Sequence, residues 1–409
     1  MSKQAPSSKT ALSRNDHVRS IDGMRGIAVL MVLLFHWFSD GGYRTHIPRG
    51  LDFLAYGHIG VNLFLALSGF CLYLPYARNA RTSRLNLWQF AQKRFLRIMP
   101  PYYASLIILW PLLLIDTITH HHIQADATTL PHVFKSLAWH VVMLYNLRPE
   151  YVLSINGPYW SLALEFSLYV LFPLFVECFR KFGATATAIA VFATCILFRL
   201  VLNHATPPQM LTGEEQFTLW DSVFARMSEF ALGMLAAACY GRFYQRGAGV
   251  AGTALAALLA VGSGILAVWT SCVYGELSVW TDPMWGVCFA SLLWLAIQPG
   301  AFQRCLSWTP LVWSGVISYS VYLTHRPLLK LGLAVFHHFG LSAPWESFVV
   351  VLPTTVAIGY AFHVLFERPW LQREAAKKRQ FDAEAAAALV PKSAKPADAA
   401  IAATPTPTA

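Results

Sequence analysis

Long apolar runs recur through this chain of 409 residues, each near the length of a bilayer-crossing helix. The first decides most. It opens with Arg19-Ser20-Ile21-Asp22-Gly23-Met24-Arg25-Gly26 and closes with Leu34-Phe35-His36-Trp37. Arg25 and His36 are eleven residues apart, so in a helix they share nearly one face, roughly 16 Å apart along the axis. Asp22 falls close to the same face. One span thus carries an Arg–Asp pair at one end and a histidine at the other. Ionisable groups at membrane depth are costly to hold there, which makes them functional candidates.

The composition agrees, with 56% hydrophobic and only 13% charged residues. It describes a polytopic membrane protein rather than a soluble enzyme. The first 20 residues are polar and no small-residue cleavage site follows the first apolar run, so that run is expected to stay as a helix rather than be cut as a signal peptide. The net charge of +10 could point to nucleic acid, but the positive charge clusters at alternate ends of the apolar runs. The seven cysteines form no CxxC pair and most lie in apolar runs. They are expected to be packing residues, with only Cys272 facing outward, and to hold no disulfide framework or metal.

The apolar runs predict an all-α, polytopic transmembrane bundle of about 10 spans. These lie near 21–38, 58–76, 98–119, 159–178, 184–202, 222–240, 250–270, 284–299, 312–333 and 348–366. Residues 40–57 read as a polar loop. The stretch 133–147 is short and interrupted by Lys135, His140 and Asn146, so it reads as interfacial or re-entrant. Residues 1–18 read as a disordered cytoplasmic lead, 19–370 as the membrane domain, and 371–409 as a basic, then Ala/Pro/Thr-rich, disordered cytoplasmic tail. With ten spans and both termini cytoplasmic, inside segments hold 23 of the 31 Lys and Arg, and outside loops hold four: Arg44, Arg49, Lys135 and Arg148. Treating 133–147 as a span would turn Arg180-Lys181, Arg242 and Arg246 outward against the positive-inside rule.

On that map His36, Glu165, the Arg226–Glu229 pair and His325-Arg326 sit at one depth in the outer half of four spans, as a cavity opening outward requires. Arg94 and Arg97 project from one side of a helix start ahead of Pro100, on the inner face. Paired guanidinium groups suit phosphate oxygens. An inner anion site and an outer histidine site suggest a donor and an acceptor on opposite sides.

These residues together resemble the acyltransferase-3 family of bacterial integral-membrane O-acyltransferases. The resemblance rests on Ile21-Asp22-Gly23-Met24-Arg25-Gly26 with His36 at R-x10-H spacing, and on Leu65-Ala66-Leu67-Ser68-Gly69-Phe70. It continues with Arg94-x-x-Arg97 before Pro100, and Asn156-Gly157-Pro158-Tyr159-Trp160-Ser161-Leu162 with Glu165. It closes with Ile317-Ser318-Tyr319-Ser320-Val321-Tyr322-Leu323-Thr324-His325 before Pro327. It covers about residues 18 to 370, with Met24 and Ala66 departing from the expected Leu and a larger apolar residue. The hydrolase-like domain fused to some members is not expected here. The resemblance implies a multi-pass protein of the inner (cytoplasmic) membrane, in contact with the lipid bilayer. It implies acyl-CoA, commonly acetyl-CoA, as donor substrate, no bound cofactor or metal, and O-acetylation of a glycan or other hydroxyl acceptor, as in polysaccharide modification.

His36 is then a general base or a transient acyl carrier; its plain alternative is a histidine satisfied within the bundle. Arg25 holds the donor or stabilises developing charge, with Asp22 as its ion-pair partner. Glu165 orients a histidine or binds a hydroxyl, or is a carboxyl bonded across helices. Arg94 and Arg97 bind the donor, or are ordinary juxtamembrane cations. Arg226 with Glu229 reads most simply as a structural pair. Asp22, Tyr159, Trp160, Tyr322 and His325 are further cavity candidates. His120-His121-His122 reads as a solvated segment rather than a metal site, and Ser68-Gly69 as a close helix contact rather than a nucleophile. A transporter or flippase for a glycan or lipid-linked precursor is the second reading of such buried ionisable groups. It calls for inverted repeats with broken helices, which the chain does not display. A passive scaffold is the third, and does not need polar groups on four spans at one depth.

Overall fold

The computed structural model describes residues 19–43, 49–78, 85–119, 130–243, 249–341, 343–373 and 376, so the expectations for the N-terminal lead, His120–His122 and most of the tail lie outside it. Among the described residues there is no strand. The long helices in chain order are α1 (Arg19–Asp40), α2 (Gly60–Arg78), α3 (Leu87–Thr119), α4 (Leu130–Val141), α5 (Pro149–Val152), α6 (Trp160–Phe182), α7 (Ala184–Ala205), α8 (Gly213–Leu219), α9 (Val223–Phe243) and α10 (Gly249–Tyr274), with shorter ones among them. They continue with α11 (Thr281–Ala296), α12 (Ala301–Leu306), α13 (Thr309–Val316), α14 (Ser318–His338) and α15 (Pro344–Phe362). Eight of the described helical stretches are long and apolar enough to cross a membrane. α11 is short at 16 residues, and α14 is rich in hydroxyl and basic groups. At 12 residues, α4 is about 18 Å long, short of a ~30 Å hydrocarbon core.

Three boundaries differ from the sequence reading. Of the loop expected over 40–57, the part from Arg49 onward is a 3-10 helix, Arg49–Ile59, that runs straight into α2. Helix α3 starts at Leu87, well before the expected entry, and carries Pro100, Pro101 and Pro111 inside it. Arg94 and Arg97 therefore stand on an established helix rather than at its first turn. The expected span over 312–333 is two helices that meet at Ile317. Small residues explain the break. A Cβ on Gly315 would collide with the backbone carbonyl of Asp22, so α13 lies against the start of α1 while α14 turns away to run beside its far end.

Helix α1 is central, packed on α2, α11, α12, α13 and α14. The Ser68-Gly69 contact is as expected: Gly69 meets the Phe230 carbonyl and Gly233 the Ala66 carbonyl, seating α2 and α9 backbone to backbone. Such small-residue contacts hold helices together where lipid supplies no hydrophobic drive. Leu63, Leu67, Phe70, Phe172, Phe230 and Met234 fill the largest core cluster around this contact. Helix α10 keeps most of its surface outside the bundle.

Candidate active site

Two cavities lie along α1, one at each end of its polar stripe. Arg25 lines the first with Cys71, Arg94, Arg97, Glu165, Tyr169, Tyr319 and Glu367, around a volume of about 130 Å³. His36 lines the second with Asp40, His58, Asn62, Trp160, Asp221, Arg226, Asp282 and Arg326, around about 370 Å³.

In the first cavity Arg25 Nη1 donates to Asp22 at 2.9 Å, the ion pair expected from their spacing. Its Nη2 donates to Cys71 Sγ at 3.2 Å. Cys71 is thus more than packing, and α2 contributes to the arginine's setting. Arg94 and Arg97 line the same space, so three guanidinium groups from α1 and α3 share one pocket. The Glu165 carboxylate also belongs here, accepting from Ser68 Oγ and from Tyr169 Oη. This corrects the expectation that Glu165 orients a histidine. It lies five residues beyond Trp160, about 140° around α6, so the two face different cavities. Glu367, which ends a single π-helical turn over His363–Glu367, accepts from His363 Nδ1 at 2.9 Å and Ser320 Oγ at 2.6 Å. Such turns often mark functional positions.

In the second cavity the hydrogen bonds settle the tautomer of both histidines. His325 Nδ1 lies 2.7 Å from the Tyr322 carbonyl and 3.2 Å from that of Val321. Carbonyls only accept, so Nδ1 carries the proton and Nε2 a lone pair. That lone pair lies 3.1 Å from His36 Nδ1, which is also 3.0 Å from the Val32 carbonyl and therefore carries its own proton. His36 Nε2 is left with a lone pair at the cavity wall, the state of a base or nucleophile. His325, buried behind it, orients the ring and accepts from the imidazolium once His36 is protonated.

Around the histidines, Arg326 donates to both oxygens of Asp40 at 3.2 and 3.4 Å, tying the end of α1 to α14. Gly157 makes room for that guanidinium, because any Cβ there would meet Arg326 Nη1. Arg226 forms the expected pair with Glu229 and reaches further carboxylates as well. It contacts Glu229 at 2.7 Å, Asp282 at 3.5 Å, and Asp221, while Arg199 holds the second oxygen of Asp282 at 2.9 Å. Asn62 donates to Asp282 at 2.9 Å. This buried network joins α2, α7, α9 and α11 and forms one wall of the cavity. Three carboxyl groups face two guanidinium groups in it. Burial pushes the Asp221 carboxyl, in the loop before α9, up to about 6 against the pull of Arg226 and Arg199.

Of the other candidates, Trp160 lines the His36 cavity and Tyr322 lines both. Tyr159 does neither. It is fully buried among Tyr102, Tyr145 and His140, with its hydroxyl on Ser105 Oγ at 2.6 Å. Consecutive residues of a helical turn point about 100–120° apart, which sends Tyr159 to α3 and Trp160 to the cavity. Sequence reasoning did not single out Cys71, Tyr169, Glu367, Asp40, Asp221 or Asp282. Cys272 and Cys305 are the exposed cysteines.

Residues 18–364 match the family model described as an acyltransferase domain, Acyl_transf_3. The chain belongs to the acyltransferase-3 family. Among curated relatives it is 25% identical to Acyltransferase MdmB of Streptomyces mycarofaciens, over 86% of this chain and 91% of that protein. It is 24% identical to the putative peptidoglycan O-acetyltransferase YrhL of Bacillus subtilis, over 86% of this chain and 55% of that one. It is 23% identical to O-acetyltransferase OatA of Staphylococcus aureus, over 76% of this chain and 51% of that one. The chain thus spans about half the length of the last two. No solved structure matches it. The acyltransferase is a multi-pass membrane enzyme that transfers acyl groups to oxygen, and His36 and Arg25 lie in separate cavities of its membrane domain.

Proposed function

We propose that this acyltransferase moves an acetyl group from cytoplasmic acyl-CoA, held in the Arg25 cavity, to a hydroxyl of an extracytoplasmic glycan or lipid-linked sugar in the His36 cavity. The inner (cytoplasmic) membrane is its proposed location. The observation that carries the reading is the pair of cavities at the two ends of one polar stripe. Three arginines suited to phosphate oxygens line one, and a histidine with a free Nε2 lines the other.

In this reading Arg94 and Arg97 hold donor phosphates by charge-assisted bonds, and Arg25 steadies negative charge nearer the thioester. His36 Nε2 takes the proton of the acceptor hydroxyl, whose oxygen attacks the thioester carbonyl. The C–S bond breaks and the proton leaves with the CoA sulfur. A transient acyl group on His36 Nε2 fits the same geometry. The acceptor rests against Trp160 and Phe217, whose ring centroids are 5.3 Å apart, beside Gln216 and Asp221. Aromatic faces next to carboxylate and amide groups suit a sugar ring with its hydroxyls. The O-acetyltransferase names of two relatives support a glycan acceptor.

The test uses the purified full chain in lipid vesicles with labelled acetyl-CoA and an N-acetylglucosamine trimer as acceptor probe. Free CoA and an O-acetyl ester on the trimer are expected. CoA release without any ester on this probe or on isolated cell-envelope glycans would remove the glycan reading, and no CoA release would remove acyl-CoA as donor.

Two variants refine it. Arg94→Ala with Arg97→Ala is expected to raise KM for acetyl-CoA about a hundredfold, the worth of about two charge-assisted bonds, with a smaller effect on the acceptor's KM. Asp221 has a raised pKa, so it is charged above about pH 6 and neutral below. The acceptor's KM should therefore climb as pH falls through about 6 in the wild type and stay flat in Asp221→Asn, measured separately from kcat.

A further inference from the structure

The two cavities have two lining residues in common, Val61 and Tyr322. Phe64, one turn beyond Val61 on α2, lines the arginine side and meets the Tyr322 ring edge to face, with centroids 5.8 Å apart. The Tyr322 hydroxyl is held firmly, 2.5 Å from Ser161 Oγ and donating to the Pro158 carbonyl at 3.0 Å. Its backbone carbonyl in turn holds His325. Tyr322 is thus pinned at both ends by polar contacts. Val61 and Phe64 beside it, on α2, offer apolar side chains only.

From this we infer that Val61, Phe64 and Tyr322 form a narrow neck between the two cavities and act there as a filter for acyl length, restricting transfer to short acyl groups. The inference rests on the proposed donor and acceptor cavities. To react, the thioester carbonyl must come from the arginines to the hydroxyl activated by His36, and the acyl group is the leading end of that donor. An acetyl group presents one methyl to the neck. Each further methylene has to be accommodated between a pinned tyrosine and the Val61–Phe64 wall. Fixed apolar walls discriminate by roughly 10–200-fold for a methylene. The CoA portion stays among the arginines whatever the acyl length, so the selection acts on turnover more than on binding. The reaction is otherwise unchanged: a C–O bond forms to the acceptor, the C–S bond breaks, and the proton passes by way of His36 to the CoA sulfur.

The test is CoA release by the full chain in lipid vesicles with acetyl-, butyryl-, hexanoyl- and octanoyl-CoA and the N-acetylglucosamine trimer, alongside displacement of labelled acetyl-CoA by each. For the wild type, displacement by the four donors should agree within a few-fold while turnover falls at least tenfold from acetyl to butyryl and further beyond. Phe64→Ala should raise the octanoyl-to-acetyl turnover ratio tenfold or more, and Val61→Ala should move it the same way by less. The second variant removes only two methyl groups, so it keeps the test open if Phe64→Ala is not recovered in folded form. Equal turnover of all four donors by the wild type, or an unchanged ratio in a folded variant, overturns the filter. Acetyl-CoA turnover with a flat length profile would overturn the filter and leave the proposed function standing. Failure of every donor in the wild type would overturn both.

Discussion

His36→Ala is expected to abolish acyl transfer while leaving the protein at normal abundance in the membrane. Removing a general base costs a hundred- to ten-thousand-fold, and loss of an acyl-carrying nucleophile costs no less, so about a hundredfold is the floor expected. The side chain stands at a cavity wall, half-buried, and its protein bonds are to the Val32 carbonyl and His325. Its removal leaves the His325 lone pair facing a water-accessible gap, not a broken helix contact. The check is mass spectrometry and proton NMR of envelope glycans from cells with the gene, without it, and with His36→Ala. An ester lost in the deletion and the variant alike is the expected result. An ester lost in the deletion but kept in His36→Ala would remove His36 from the chemistry while leaving the enzyme's reaction intact.

The largest loss of stability is expected from Arg226→Met. This guanidinium is almost fully buried and serves Asp221, Glu229 and Asp282 together. Its removal leaves three carboxyl groups around Arg199 alone. Breaking a buried ion pair from one side costs about 3–5 kcal/mol, because the partner charge stays behind without compensation. Folded yield in detergent and the midpoint of thermal unfolding should both fall. Arg226→Met combined with Glu229→Gln removes one stranded charge and should recover part of the loss. An unaltered unfolding midpoint in the single variant would mean that the network is not held together by Arg226.

Much of this was readable in the chain. Lengths of apolar runs mark membrane helices because the bilayer thickness is a physical constant of the solvent, and the long runs became helices. R-x10-H placed Arg25 and His36 on one face because a helix's pitch is a local property. Helix ends were less readable. Residues 49–57 are polar enough to pass for a loop, yet their backbone groups are helical and lead into α2. The break at Ile317 follows from where Gly315 meets α1, a contact with a distant part of the chain.

The site divides in the same way. Depth along a helix put His36, Glu165, Arg226 and His325 together in the outer half, as if around one cavity, but depth does not say which face meets which neighbour, and Glu165 lines the cavity of Arg25 instead. His36 and His325 are separated by 289 residues and Ser68 and Glu165 by 97, and no spacing rule reaches so far. The sequence by itself determined that this protein is a bundle of membrane helices with an arginine and a histidine on one stripe, because helix period and apolar length are short-range properties. Only the tertiary structure decided that His325 fixes the tautomer of His36, that Glu165 belongs with Arg25, and that Tyr322 stands between the two cavities. Those facts depend on how helices rotate against one another, which close small-residue contacts set and linear order does not record.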